Sequence, residues 1–216
     1  MKKIAIILAL IALMGCVTGF GEAGGMRLFG AYEQDGNLNN GPEPIEWIVL
    51  DAYPDGSSLL ISRLALECKG YHTESRAVTW EECSLRRWLN EDFYQGAFTS
   101  EEKEKILVAG LWNSRNFRHG TPGGNDTEDR VFLLSAEEAE RYFSNDGTRA
   151  CYTDKYAMSR GLLTYNQTVN TPCWWWLRTP GDVKWHACYV RDSGAISDYG
   201  AVTAGYGVRP VIRVEP

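Results

Sequence analysis

The sequence is poor in the residues from which most catalytic and metal centres are built. It has only three histidines, His72, His119 and His186. A zinc site wants four N/S ligands, or three plus water, and Cys68-x3-His72 and His186-x-Cys188 offer no more than pairs. It has no phosphate-cradling glycine loop, no G-x-S-x-G elbow and no H-E-x-x-H, which removes the motif-borne routes to nucleotide, acyl-transfer and metalloprotease chemistry. Internal repeats are absent. Closely spaced cysteines are absent too: Cys68, Cys83, Cys151, Cys173 and Cys188 are an odd number and widely separated, which argues against a disulfide scaffold. If one bridge forms, Cys173–Cys188 is the first pairing expected. Positive charge is also scarce, with 22 Lys and Arg against 28 Asp and Glu.

Long apolar runs are confined to the beginning. Lys2 and Lys3 precede Ile4 to Met14, an uninterrupted apolar stretch that ends at Gly15-Cys16. This is the layout of a secretory signal, and it is too short for a membrane-spanning helix. Leu13-Met14-Gly15-Cys16 resembles a bacterial lipobox, so residues 1–15 are expected to be removed and Cys16 to carry the lipid. Residues 16–25 then form a glycine-rich tether, and the folded domain occupies 26–216. Removing residues 1–15 takes away two lysines and no acid, leaving 20 basic against 28 acidic residues and a net charge of −8. Such a chain is not expected to bind nucleic acid. It should meet the membrane through its lipid anchor alone.

What remains reads as mixed helix and strand. Glu46 to Tyr53 and Ser58 to Arg63 are strand-like and flank Pro54-Asp55-Gly56, a hairpin signature. Thr79-Trp80-Glu81-Glu82, Thr99-Ser100-Glu101-Glu102 and Ser135-Ala136-Glu137-Glu138 each fit a capping box and predict three helix starts. After the first of these, Cys83, Leu85, Trp88, Leu89 and Phe93 form an apolar stripe. Residues 113–130 form a long polar loop around Thr121-Pro122-Gly123-Gly124, a length more typical of functional segments. Beyond residue 160, short strands separated by glycines take over. The class is α+β, with helices in the middle and short strands at both ends.

Six ordered blocks carry a family resemblance: EPIEWIVLD (43–51), LLIS (59–62), TWEECSLRRWLNEDFY (79–94), DRVFLLSAEEAERYF (129–143), WWLRTPG (175–181) and GVRPVI (207–212). Over roughly residues 26–216 the chain resembles the DUF6273 family, common in exported proteins of anaerobic bacteria. That family in turn resembles the C-type-lectin-like fold, in its formylglycine-generating-enzyme-like branch. The resemblance implies a single lectin-like domain. Related lectin-fold proteins present a ligand-binding surface near the C-terminus. The oxidase branch holds copper on two cysteines, but Cys173 and Cys188 do not sit in that motif.

CWWWLRTPG (173–181) poses the main question. Alternation in a strand points Trp174, Trp176 and Arg178 one way, and Trp175 and Leu177 the other. Trp175 and Trp176 belong to the scaffold block and are expected in the core. Trp174 lies outside it and stays open between wall and stacking platform. Arg178 and Arg209 are expected to tie strands together through carboxylates or carbonyls. The loops within 182–206 combine Tyr, Trp, Ser, Asp and Gly, the composition of recognition surfaces. The expected ligand-binding residues are Trp174, Lys184, Trp185, His186, Arg191, Asp198, Tyr199 and Tyr206.

The functional expectation is a non-catalytic, exported, lipid-anchored cell-surface module that binds a glycan or a protein, with no catalytic residue, metal or cofactor. The alternatives are a thiol or metal enzyme using Cys173, Cys188 or His186, and a structural envelope protein. Asn125, Asp126, Glu128 and Asp129 are the residues that could gather oxygens around calcium, or merely form a solvated acidic loop.

Overall fold

The computed structural model describes residues 24–164 and 167–216. The expected leader, Cys16 and nearly all of the tether lie outside the described residues. Within them no helix is long and apolar enough to cross a membrane. Strands dominate, and the helices are few and short.

The predicted hairpin forms, with Glu43–Ala52 antiparallel to Ser58–Ser62 and Trp47 opposite Ser62. Its turn is held by Asp55 Oδ1, which accepts from the Ser57 amide at 2.9 Å and hydroxyl at 2.6 Å. Gly56 supplies φ +85° there, a conformation that L side chains disfavour. Ile45, Trp47 and Val49 alternate inward and are buried. A strand that the sequence pattern did not single out, Met26–Tyr32, covers the hairpin's outer edge. The Trp47 indole donates to Phe29 O at 2.6 Å across that seam.

The last strand, Val211–Val214, lies on the other side of Ser58–Ser62. Its far edge pairs with both Ile106–Leu107 and Val131–Phe132. The chain's end is thus in the middle of a six-stranded sheet. A second, five-stranded sheet runs in the order Ile196–Ala201, His186–Val190, Trp175–Pro180, Tyr206–Val208, Glu67–Lys69. A third small sheet joins Pro172–Cys173, Cys151–Thr153 and Leu64–Ala65. Strands therefore also thread the middle of the chain, where the sequence reading placed helices and the single strand Val131 to Leu134.

Two of the three capping boxes form as read. Thr99 and Glu102 exchange side-chain-to-amide bonds at the start of Ser100–Lys105, as do Ser135 and Glu138 at the start of Ala136–Tyr142. Thr79 does not cap. Trp80–Glu82 is only a tight 3-10 turn, and the helix begins at Ser84, where Cys83 Sγ accepts from the Arg86 amide at 3.3 Å. Long-range partners account for the difference: the Trp80 indole donates to Asp129 at 2.9 Å, and Glu81 accepts from Asn125. Tertiary contacts here override a local preference. The stripe behaves as expected, with Cys83, Leu85, Leu89 and Phe93 buried and Trp88 packed against the core.

Trp175 and Trp176 are completely buried. Arg178 donates to Leu133 O at 2.8 Å and forks onto both carboxylate oxygens of Glu138. Arg209 donates from Nε to Ser62 O at 2.9 Å, with its guanidinium between Phe143 and Trp175. Arg209 thus ties the start of the last strand to Ser58–Ser62, whereas Arg178 ties Trp175–Pro180 to Leu133 and to the helix Ala136–Tyr142. The Cys173–Cys188 bridge is not present; all five described cysteines are free. The register explains why. Trp176 pairs with Tyr189, which sets Cys188 level with Leu177, while Cys173 belongs to the separate strand Pro172–Cys173, four residues or about 13 Å further back along the chain. That exceeds disulfide reach.

Candidate functional site

The C-terminal sheet has two chemically different ends. At one end, alternation puts Trp174 and Trp176 on the same face. Tyr189, opposite Trp176, and Tyr206, beside the Gly207 that pairs with Trp175, join them. The Trp176 ring lies 4.4 Å from that of Tyr206, and Trp174 lies 5.3 Å from both Tyr189 and Tyr206. Close approach demands a bare backbone next door: a Cβ on Gly200 would sit 2.6 Å from Trp176 Cζ3 and 2.9 Å from Tyr189 Cδ1. The inner members are sealed, while Trp174 remains 38% exposed.

Beside this aromatic slab opens a cavity of about 240 Å³, lined by Leu162, Pro172, Trp174, Asp192 and Tyr206 among others. Its walls are mostly apolar, and Asp192 brings the carboxylate. Burial, and then neighbouring Tyr189, raises the Tyr206 phenol above its ordinary range, so it stays protonated and able to donate. Rigid aromatic area with a few polar groups at the margin is the usual make-up of small-ligand sites.

The other end is organised around Asp198. Its carboxylate accepts from Asn116 Nδ2 at 3.1 Å, Arg118 Nη1 at 3.2 Å and Cys188 Sγ at 3.2 Å, with His119 Nε2 at 3.4 Å. Burial pushes the acid's pKa up, but the bonds from Cys188, Asn116 and Arg118 outweigh it and hold Asp198 below its ordinary range. Burial, reinforced by hydrogen bonding to Asp198, pushes the Cys188 thiol well up. Next to this hub, His186 Nδ1 meets Asp182 Oδ1 at 2.6 Å, and Thr121 donates to Asp182 O at 2.9 Å. The 113–130 loop is thereby pinned onto the sheet: Asn116 also donates to Pro180 O at 2.9 Å.

The eight expected ligand residues therefore do not form one patch. Trp174 and Tyr206 come together at the aromatic end, and Arg191, exposed, follows Val190 nearby. His186, Asp198 and Tyr199 belong to the polar end; Ser197 pairs with Tyr189, so alternation turns Asp198, with Cys188, onto the face opposite the slab. Lys184 and Trp185 lie exposed in the turn between Trp175–Pro180 and His186–Val190. Asp198, expected on an open rim, is buried at 6% exposure, because four neighbouring groups converge on it. Tyr199 is exposed, with the His119 ring 6.2 Å away.

Sequence reasoning missed Leu162, Pro172, Tyr189 and Asp192 at the first end, and Asn116, Arg118 and His119 at the second. The length of the polar loop was the available signal for the last three. No pattern pointed to the others, whose assembly depends on register between distant strands.

The acidic loop does not gather oxygens. Asp126 Oδ1 accepts from the Asn113 amide at 2.9 Å, and Asn125 bonds Glu81. Asp129 accepts from Trp80, Arg86 and Thr127. These groups brace the loop, as hydrogen-bond partners of its neighbours. Among the described residues, the acids whose oxygens do approach one another are Glu33, Asp35 and Glu43. Glu43 and Asp35 accept backbone amides from Gln34 and Asn37. His72 is likewise engaged elsewhere: its Nδ1 accepts from the Ser84 amide at 3.1 Å, and burial lowers its pKa.

These features define a mixed α+β module with an aromatic cavity at one end of its C-terminal sheet and a closed polar hub at the other. Residues 55–216 match the family described as Domain of unknown function (DUF6273), and the chain belongs to that family. The match starts within the turn of the first hairpin, although Met26–Tyr32 and Glu43–Ala52 are strands of the same sheet. No curated protein and no solved structure matches the chain.

Proposed function

We propose that the chain is a non-catalytic binding module of C-type-lectin-like fold, held at a cell surface by a lipid on Cys16, and that it takes a glycan ring at the aromatic end of its C-terminal sheet. The observation that carries this reading is the pairing of half-exposed Trp174 with Tyr206 over an apolar cavity edged by Asp192. A pyranose presents an apolar face to an indole and hydroxyls to a carboxylate, so this lining suits it. The buried, protonated Cys188 thiol supports the non-catalytic side of the proposal, since nucleophilic thiols are exposed and of lowered pKa.

A protein ligand is the second reading, favoured by a different observation. Phe117, Trp185 and Tyr199 are each more than half exposed around the polar end, and exposed aromatics are typical anchors of protein interfaces.

A glycan array probed with the full-length protein tests the first reading. Binding to defined glycans that Trp174→Ala lowers at least about 10-fold, with an unchanged melting midpoint, is expected from the loss of one stacked ring. Glycan binding that Trp174→Ala leaves intact would sink it. Absence of any glycan binding, with a protein captured through Tyr199 and Trp185, would transfer the assignment to the second reading.

A further inference from the structure

The five free cysteines among the described residues are not equivalent. Cys151 and Cys173 are directly opposite one another in the antiparallel pairing of Cys151–Thr153 with Pro172–Cys173. Directly opposed residues of such a ladder have Cα atoms about 4.5–5.5 Å apart, inside the window that a disulfide spans. Cys173 Sγ reaches to 3.4 Å from Cys151 O, and both side chains are fully buried. We propose that Cys151 and Cys173 are the chain's oxidation site and close a cross-strand disulfide when the protein folds in the presence of a small disulfide such as oxidised glutathione. This inference is independent of the glycan reading.

The surroundings favour the chemistry. Burial opposes ionisation of Cys151, but the hydrogen bond from the Cys173 thiol, the charge of Arg209 and the Ala65 amide outweigh it and hold Cys151 below the ordinary thiol range. The hydrogen bond to Cys151, and then burial, raise Cys173. Arg209 is itself only partly satisfied, its Nη1 being buried without a hydrogen-bond partner. Access comes through the edge: Pro172–Cys173 is a two-residue strand at the border of its sheet, with only the single bridge from Thr164 on its outer side, a place where local opening is easy.

The exchange balances. The Cys151 thiolate attacks one sulfur of the glutathione disulfide and expels a glutathione thiolate. The Cys173 sulfur, losing its proton, then attacks Cys151 Sγ and expels the second. Two protein S–H bonds and one glutathione S–S bond are lost, one protein S–S bond and two glutathione thiols are gained, and two electrons pass to glutathione. The bridge closes the segment from 151 to 173, which carries Leu162 and Pro172 of the aromatic cavity.

Full-length protein, reduced and unfolded, should be refolded with reduced and oxidised glutathione, alkylated, and digested without reductant. The expected product is a peptide pair joined through Cys151 and Cys173 that separates on reduction, with Cys83 and Cys188 alkylated only after denaturation and Cys68, which is partly exposed, alkylated in the folded protein. The oxidised protein should unfold at higher urea than the reduced one. Cys151→Ser and Cys173→Ser should each abolish the linked pair and the urea shift. Because either substitution can disturb folding, the wild-type map decides by itself. Cys151 and Cys173 both recovered as alkylated thiols, or either joined to a different cysteine, overturns the proposal.

Discussion

The two ends of the C-terminal sheet contain groups of similar potential and treat them differently. At the polar end, Asp198 engages Asn116, Arg118 and Cys188 within the fold, and His186 engages Asp182. At the aromatic end, Trp174, Tyr206 and Asp192 border open volume. Chemically rich residues that are mutually satisfied hold a loop in place, and a plainer set bordering a cavity is the better candidate for recognition. A histidine, an aspartate and a cysteine close together are therefore not in themselves a site.

The comparison can be stressed from its largest consequence downward. Trp175, behind the aromatic slab and fully buried, should cost about 3–5 kcal/mol on substitution by alanine, as for other large-to-small core changes, measured by urea unfolding. A loss under about 1 kcal/mol would show that the wall is not structural. Asp198→Ala should cost about 2–3 kcal/mol, because it leaves buried donors without their acceptor.

The buried aspartates also predict opposite pH profiles. Asp198 titrates below its ordinary value in the fold. Its stabilisation is complete above the unfolded value near 3.8 and is lost as pH falls through the lower folded one. Asp198→Asn should flatten that acid limb. Asp154 caps the helix Lys155–Ser159 through the Ala157 amide, and burial, with Glu67 and Glu33 adding repulsion, raises it to about 7. Between the unfolded value near 3.8 and about 7, the native state holds the extra proton, so stability declines as pH rises. Asp154→Asn keeps a capping oxygen and should remove that decline, on the order of 4 kcal/mol. Thermal midpoints between pH 3 and 8 would read both effects; parallel profiles for the two variants would contradict the assignment.

The smallest expected difference concerns caps. Thr99→Ala breaks a formed capping box and should cost about 1 kcal/mol. Thr79→Ala breaks no cap bond and should cost less. Equal losses would mean that the turn at Trp80–Glu82 is a true helix start.

The first hairpin, the buried stripe after Cys83, two caps and the buried fate of Trp175 and Trp176 were legible because each rests on local spacing. Met26–Tyr32 was missed because Gly30, at φ +68°, breaks its alternation. Thr79 misled because its neighbours Trp80 and Glu81 are claimed by residues more than forty positions away. Of the candidate site, Trp174 and Tyr206 were visible as aromatics near strand ends. Their partner Asp192 and the cavity's far wall depend on how 162–172 folds back, which no periodicity encodes. Asp198 looked like an exposed turn acid until the long loop brought Asn116 and Arg118 to it.

Hydroxyl-radical footprinting of the full-length protein, with and without a saturating glycan selected from the array, bears most directly on where the chain binds. Protection of Trp174 and Tyr206, with Trp185 and Tyr199 oxidised as fast as before, is the predicted result. Protection of Trp185 and Tyr199, with Trp174 unaffected, would contradict it and move recognition to the polar end.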